Sequence, residues 1–170
     1  VEASRMIQLV NDILQLSHLD SVSETHAQPD METVDLLDVA KDCVERQKLN
    51  AQRSFISLTY LGESARVLGN RDQLDELCQN LCDNAIRYNR PGGKVQLITS
   101  CTRDGHCTLT VKDNGIGIPK DAQSSVFERF YRVDKSRSKA TGGTGLGLAI
   151  VKHIARIHNA LSLIHISEPT

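Results

Sequence analysis

"NLCDNAIRYN", residues 80–89, places two amides one helical turn apart, Asn80 and Asn84, and follows them with a cation, Arg87, and an aromatic, Tyr88. It closes a longer segment, "RDQLDELCQNLCDNAIRY" (71–88), that reads as a strong helix with its early acids near the positive end of the helix dipole. Asn80, Asn84, Arg87 and Tyr88 cluster by i,i+4 and i,i+3 spacing, while Leu74, Leu77, Leu81 and Ala85 line a different face, expected to pack on a sheet. A helix that already has an apolar face does not need two asparagines, which are mediocre helix formers. Their amide oxygens are hard, neutral ligands suited to Mg²⁺. Arg87 suits a phosphate and Tyr88 a flat base. Taken alone, the helix is explained equally well by a solvated polar face.

"DNGIGIP" (113–119) breaks that tie. Asp113 ends a strand, where a carboxylate can project into a cleft and accept a hydrogen bond from an exocyclic amine such as adenine N6. Gly115 and Gly117 let the backbone turn sharply and approach a flat ligand, although an ordinary Asn-Gly turn has the same look. "GGTGLGLAI" (142–150) sets Gly143, Gly145 and Gly147 before a helix, where exposed N–H groups and the helix N-terminus suit a polyphosphate. It is neither a Walker A loop nor a dinucleotide fingerprint, because the lysine and the third glycine are missing from their required positions. Between the two lies "VFERFYRVDKSRSKATGG". Phe127, Phe130 and Tyr131 give it an apolar anchor, and Arg129, Arg132, Lys135, Arg137 and Lys139 give it cations. That combination suits a lid over phosphates, or more blandly a solvated loop pinned by one helical turn.

The surrounding chain reads as α/β. Residues 3–19 form an amphipathic helix with Met6, Leu9, Ile13 and Leu16 at heptad spacing, expected to join a helical bundle. The polar stretch up to residue 34 reads as a linker, and residues 35–49 as a second helix with Leu36, Leu37, Val39, Ala40, Val44 and Leu49 apolar. "FISLTYL" (55–61) alternates as a strand, and "KVQLITSCT" and "HCTLTVKD" form a hairpin joined by "RDG". A last helix is expected from about residue 146 to 158. The fold class is therefore α/β, an open two-layer sandwich with helices on one face of a mixed sheet.

The 170 residues carry a net charge of −1, so nothing points to nucleic acid, and any charge-based function is local. No signal peptide or bilayer-length apolar run is present, and the chain as it stands is expected to be soluble. The five cysteines lack CxxC spacing. Cys78 and Cys82 read as small buried side chains, while Cys101 and Cys107 flank a hairpin loop and are able to approach. An odd, unpatterned count favours free thiols throughout.

In this order, the four elements resemble the asparagine, first glycine, phenylalanine and second glycine boxes of sensor histidine kinases, members of the GHKL ATPase superfamily. "GGTGLGLAIVKHIA" and "VFERFYRVDKSRS" are similar to the membrane sensor kinases of phosphate-response and cell-wall-response type. The resemblance covers residues 1 to 159 and implies a Bergerat-type sandwich preceded by one helix of a dimerisation bundle. It implies ATP and Mg²⁺ as cofactors, with Asn84 holding the metal and Asn80 beside it near metal and phosphate. Arg87 would meet phosphate where the family usually has lysine, Tyr88 would pack by the nucleotide, and Asp113 would bind the adenine amine with Gly115, Gly117 and Ile118 around the base. Tyr131 and Arg132 would belong to the lid, and Gly143, Thr144, Gly145, Leu146 and Gly147 would cover the phosphates. Asn80 and Arg132 are the implied catalytic residues. Hydrolytic superfamily members carry glutamate at position 80 as the base that activates water. Asn80 accepts no proton at neutral pH, which favours transfer to a protein side chain.

The implied domains are 1–20, the end of a dimerisation and phosphotransfer helix; 21–34, a linker; 35–160, the catalytic ATP-binding domain; and 161–170, a non-native tail. None of His18, His26, His106, His153, His158 and His165 is followed by an acidic residue, so the family's phosphoacceptor is expected on a bundle helix outside this chain. "LSLIHISEPT" does not resemble the family's closing strands, although "LSLIHIS" has strand composition. The expected whole is a homodimeric kinase of a bacterial plasma membrane. Its cytoplasmic domain would pass phosphate to a response regulator. The alternatives are a nucleotide-binding or dimerisation module without kinase activity, and a hydrolytic GHKL ATPase.

Overall fold

A computed structural model of the chain describes residues 30–115 and 147–158. The first set belongs to one compact unit and the second to another. In the first unit the elements run β1 (Glu32–Asp35), α1 (Leu36–Arg53), β2 (Ser57–Gly62), β3 (Arg66–Gly69), α2 (Arg71–Arg87), β4 (Lys94–Cys101) and β5 (Cys107–Asp113). The second unit contributes α3 (Gly147–Ile157). The 3–19 helix, most of both glycine stretches, the aromatic and basic segment and the 161–170 tail lie outside the described residues.

The main sheet has the order β2-β4-β5, with β2 parallel and β5 antiparallel to β4, so it is mixed as expected. Along β4, Val95, Leu97 and Thr99 are buried, and alternate residues share one face of a strand. Helix α1 packs on β2 and β4, and α2 packs on α1, β4 and β5, which gives two layers around one core. The interface between the helices is built from small side chains. Cys43 of α1 and Cys78 and Cys82 of α2 are all buried and free. Hydrogen bonding to Cys43, reinforced by burial, pushes the Cys78 and Cys82 thiols above their usual range, so both stay protonated.

The helix ends explain the chain reversals. Asp35 caps α1 by accepting from the Leu37 N–H at 3.0 Å. The same carboxylate accepts from the Ala65 N–H at 2.9 Å and the Ser64 hydroxyl at 2.5 Å, which ties the loop before β3 to the helix start. The Ser64 bond above all, and then the Ala65 bond, hold this carboxyl below the usual aspartate range. Its stabilisation is therefore present above the ordinary carboxylate pKa and lost as pH falls through the lower folded value. Asp35→Ala is expected to lose about 1–2 kcal/mol at neutral pH, with the gap to wild type closing below about pH 4. Denaturant titrations at pH 7 and pH 3 check both parts.

At the other end of α1 the Ile56 N–H reaches the Ala51 carbonyl at 2.9 Å and the Phe55 N–H reaches Gln52 at 3.1 Å. This is the Schellman pattern, with Phe55 at φ 57° in the position usually given to glycine. Phe55 consequently points outward, 73% exposed, and β2 begins two residues later than "FISLTYL" suggests.

Four expectations are corrected. The linker over 21–34 ends in a strand, because Glu32–Asp35 pairs antiparallel with Arg66–Gly69. On α2 the buried residues are Leu74, Cys78, Cys82, Ala85 and Ile86. Leu77 and Leu81 are only half-buried, because the core-facing stripe follows the small cysteines that let α1 approach. Leu49, read as an apolar α1 position, is exposed. Cys101 and Cys107 are not free thiols. They form the last register pair of the hairpin, their Cα atoms 4.1 Å apart, and are joined by a disulfide.

Candidate functional site

The register of the hairpin sets the first half of the site. Asp113 faces Val95 across the β4–β5 ladder, and directly opposed residues project to the same side of a sheet. Val95 is buried on the helix side, so Asp113 projects to that side from the strand's end, where its carboxylate is exposed. Its Oδ1 accepts from the Gly115 N–H at 2.8 Å. The C-terminal end of α2 comes to the same place. A Cβ on Gly115 would stand 2.7 Å from the Tyr88 carbonyl oxygen and 3.0 Å from Asp113 Oδ1. Only glycine lets the two elements meet this closely.

Two asparagines that sequence reasoning did not single out fasten this junction. Asn114 Oδ1 accepts from the Lys94 N–H at 2.7 Å, and Asn89 Nδ2 donates to the Lys94 carbonyl at 3.2 Å. The turn after α2 and the end of β5 are thus both tied to the start of β4. The available signal was the tendency of asparagine in turns to bond nearby backbone.

The second half is the α2 face turned away from the thiol cluster. Asn80, Asn84 and Arg87 are half-buried there. Among the described residues, Asn80 Nδ2 is buried with no hydrogen-bond partner, and so is Gln73 Oε1, two turns earlier on the same stripe. Buried amides without partners are rare and destabilising, so fold stability does not account for these two side chains. Gln73 was also missed, though its seven-residue spacing from Asn80 was visible. Arg87 Nη2 lies 2.9 Å from Asp83 Oδ2. Among the described residues no group of three or more His, Cys, Asp or Glu is placed to hold a metal ion. A cation here would rely on neutral amide oxygens together with oxygens of a ligand. Mg²⁺ accepts such a shell, and the half-buried Asn80 and Asn84 fit it.

The structure therefore brings Asn80, Asn84 and Arg87 together on α2, makes Tyr88 its C-cap and sets the Tyr88 carbonyl against Gly115 beside Asp113. Gly147 opens α3 in the second unit. That helix buries Ala149, Ile150, Val151, Ile154 and Ala155 and exposes Lys152 and Arg156, an amphipathic pattern. Gly117, Ile118, Tyr131, Arg132, Gly143, Thr144, Gly145 and Leu146 lie outside the described residues.

The family of histidine kinase-, DNA gyrase B- and HSP90-like ATPases matches residues 69–170, and the chain belongs to it. The sensor-like histidine kinase SenX3 of Mycolicibacterium smegmatis is 44% identical over 159 residues, 93% of this chain and 40% of that protein. The sensor protein kinase WalK of Staphylococcus saprophyticus is 38% identical over 93% of this chain and 26% of its own length. The chain thus spans less than half the length of the curated relatives it matches. Among solved structures, the mycobacterial sensor histidine kinase MprB superposes with a TM-score of 0.65 at 34% identity, covering 76% of this chain and 81% of that one. Full-length ShkA in complex with AMPPNP superposes with a TM-score of 0.76 at 26% identity, covering 92% of this chain and 32% of that one. Among the described residues no helix is long and apolar enough to cross a membrane.

Proposed function

We infer that this chain is the ATP-binding catalytic part of a sensor histidine kinase. It would transfer the γ-phosphate of ATP to a histidine on a bundle helix supplied by another segment, for relay to a response regulator. The observation that carries this reading is the junction of α2 and β5. An exposed carboxylate, Asp113, stands beside a glycine packed against the Tyr88 carbonyl, one turn from the half-buried Asn84. Similarity to full-length sensor kinases, one of them solved with AMPPNP, supports the same reading.

In this reading Asp113 accepts the adenine amine through the oxygen not already bonded to Gly115, and Tyr88 packs beside the base. Asn84 and Asn80 offer amide oxygens to Mg²⁺, which would neutralise phosphate charge. Arg87 meets a phosphate, and Tyr131 and Arg132, outside the described residues, keep the lid role that the family resemblance implies. Phosphoryl transfer asks for positioning and charge neutralisation more than covalent chemistry, and every role assigned here is of that kind. The cytoplasmic side of a bacterial membrane, a homodimer and a response-regulator partner complete the proposal.

The test is transfer from labelled Mg-ATP to a separately purified acceptor helix pair of a related sensor kinase. The expected product is acid-labile phosphate on the acceptor, reduced at least about tenfold by Asn84→Ala, because a metal ligand acts on the transition-state charge. Tight Mg-ATP binding with steady release of inorganic phosphate and no labelled acceptor would overturn it in favour of hydrolysis.

A further inference from the structure

A ladder of side-chain bonds crosses from α1 to α2 and ends at Arg87. Gln47 Nε2 donates to Gln79 Oε1 at 2.7 Å, and Asn50 Nδ2 donates to Gln47 Oε1 at 3.0 Å. The same Asn50 amide lies 3.4 Å from Asp83 Oδ1, while the other Asp83 oxygen holds Arg87 Nη2 at 2.9 Å. Asp83 is therefore gripped from two sides, with one oxygen turned to α1 and one to the guanidinium.

An isolated i,i+4 pair on a helix surface would carry no argument, since such pairs add little stability. Two features set this one apart. The carboxylate has a second anchor on a different helix, and both partners are partly covered, with side-chain exposures of 25% for Arg87 and 33% for Asp83. Direction matters as well. Helix side chains lean toward the N-terminus. Arg87 reaches back to Asp83 and so lies beside the turn that carries Asn84, rather than trailing past Tyr88. A guanidinium left free would lose rotamer freedom on meeting a ligand, and one already held loses less.

We propose that Asp83 is a positioning residue: it holds the Arg87 guanidinium beside Asn84, oriented for the phosphates of the bound nucleotide, and α1 supports it through Asn50. This rests on the nucleotide-binding reading above and adds a residue to it. In this proposal the carboxylate acts on the nucleotide through Arg87 and does not touch a phosphate.

A double-mutant cycle tests this. Wild type, Asp83→Ala, Arg87→Ala and the double variant are titrated with Mg-ATP by calorimetry, with thermal melts alongside. Asp83→Ala is expected to weaken binding about two- to fivefold, the range open to a partly exposed pair, and to have no effect in the Arg87→Ala background. Asn50→Ala, on the other helix, should act in the same direction and show the same dependence on Arg87. It completes the cycle if Asp83→Ala does not fold. An equal loss in both backgrounds would mean that Asp83 serves only the fold and would overturn the proposal. So would an unchanged affinity, or tighter binding, which would make Asp83 a competitor of the phosphates. Wild type that binds Mg-ATP but ignores Asp83 overturns this inference alone. Wild type that binds no nucleotide overturns it together with the reading it rests on.

Discussion

Asp113→Asn is expected to weaken adenine-nucleotide binding about 10- to 100-fold while leaving folding stability unchanged. The size follows from the chemistry of the contact. A hydrogen bond to a charged acceptor contributes about 1.5–3 kcal/mol, and each 1.4 kcal/mol is tenfold in affinity. Asparagine keeps one oxygen, which is enough for the Gly115 N–H that now sits 2.8 Å from Asp113 Oδ1. Its second atom becomes a donor and meets the donating amine of adenine, so the variant replaces an attraction with a repulsion. Stability should stay within about 0.5 kcal/mol, as is usual for an exposed side chain, and Asp113 is exposed. Calorimetric titration with Mg-ADP and a thermal melt of the same sample separate the two effects. Unchanged affinity would remove Asp113 from the site.

Gly62→Ala is expected to destabilise the fold by about 3 kcal/mol or more and to lower the melting temperature by more than about 10 °C. Gly62 ends β2 opposite Thr99 with φ +128°, a region L-residues rarely adopt. A Cβ there would stand 2.1 Å from the Thr99 carbonyl oxygen and 2.7 Å from its nitrogen. Both are backbone atoms of the central strand and have no rotamer to move into. The same backbone already serves the chain crossing at this point, where the Glu63 N–H donates to the Thr99 carbonyl and the buried Thr99 hydroxyl donates to the Glu63 carbonyl. Relief therefore requires the parallel β2–β4 pairing to shift. Thermal and denaturant melts read the loss directly. A variant as stable as wild type would show that this close approach is absent in solution.

Legibility followed sequence distance. The β4–β5 hairpin was readable to within a residue, because alternation and a short "RDG" loop fix a local register. Helices α1, α2 and α3 were readable from their apolar period, with early acids as well for α2, although α1 runs to Arg53 rather than ending at 49. The β1–β3 pair was not, since four-residue strands carry too little pattern and their pairing spans more than thirty residues. The α2 core face was read half right. Leu74 and Ala85 are buried, and so are Cys78 and Cys82, read as small buried side chains, whereas Leu77 and Leu81 are only half-buried, because helix–helix approach selects small side chains there. The cysteine reading failed at Cys101 and Cys107 because the count of cysteines was weighed above the register that sets them opposite each other. At the site, Asn80, Asn84, Arg87, Tyr88, Asp113 and Gly115 were all singled out in advance. Their supporting partners were not. Asn89 and Asn114 work through contacts between elements, and such contacts leave no spacing in the chain, whereas the i,i+4 spacing of Asp83 and Arg87 was there to be read.

In the proposed function the polar face of α2 and the end of β5 together bind an adenine nucleotide. Amide-resolved NMR during titration with Mg-ATP tests it most directly. Among residues 30–115, the largest shift changes are expected at Asn80, Asn84, Arg87, Tyr88, Asp113 and Gly115, and the Asn80 side-chain amide, unpartnered among the described residues, is expected to move with them. Saturable binding with changes confined to β1, β3 and the outer face of the sheet, or no saturable change at all, would contradict it.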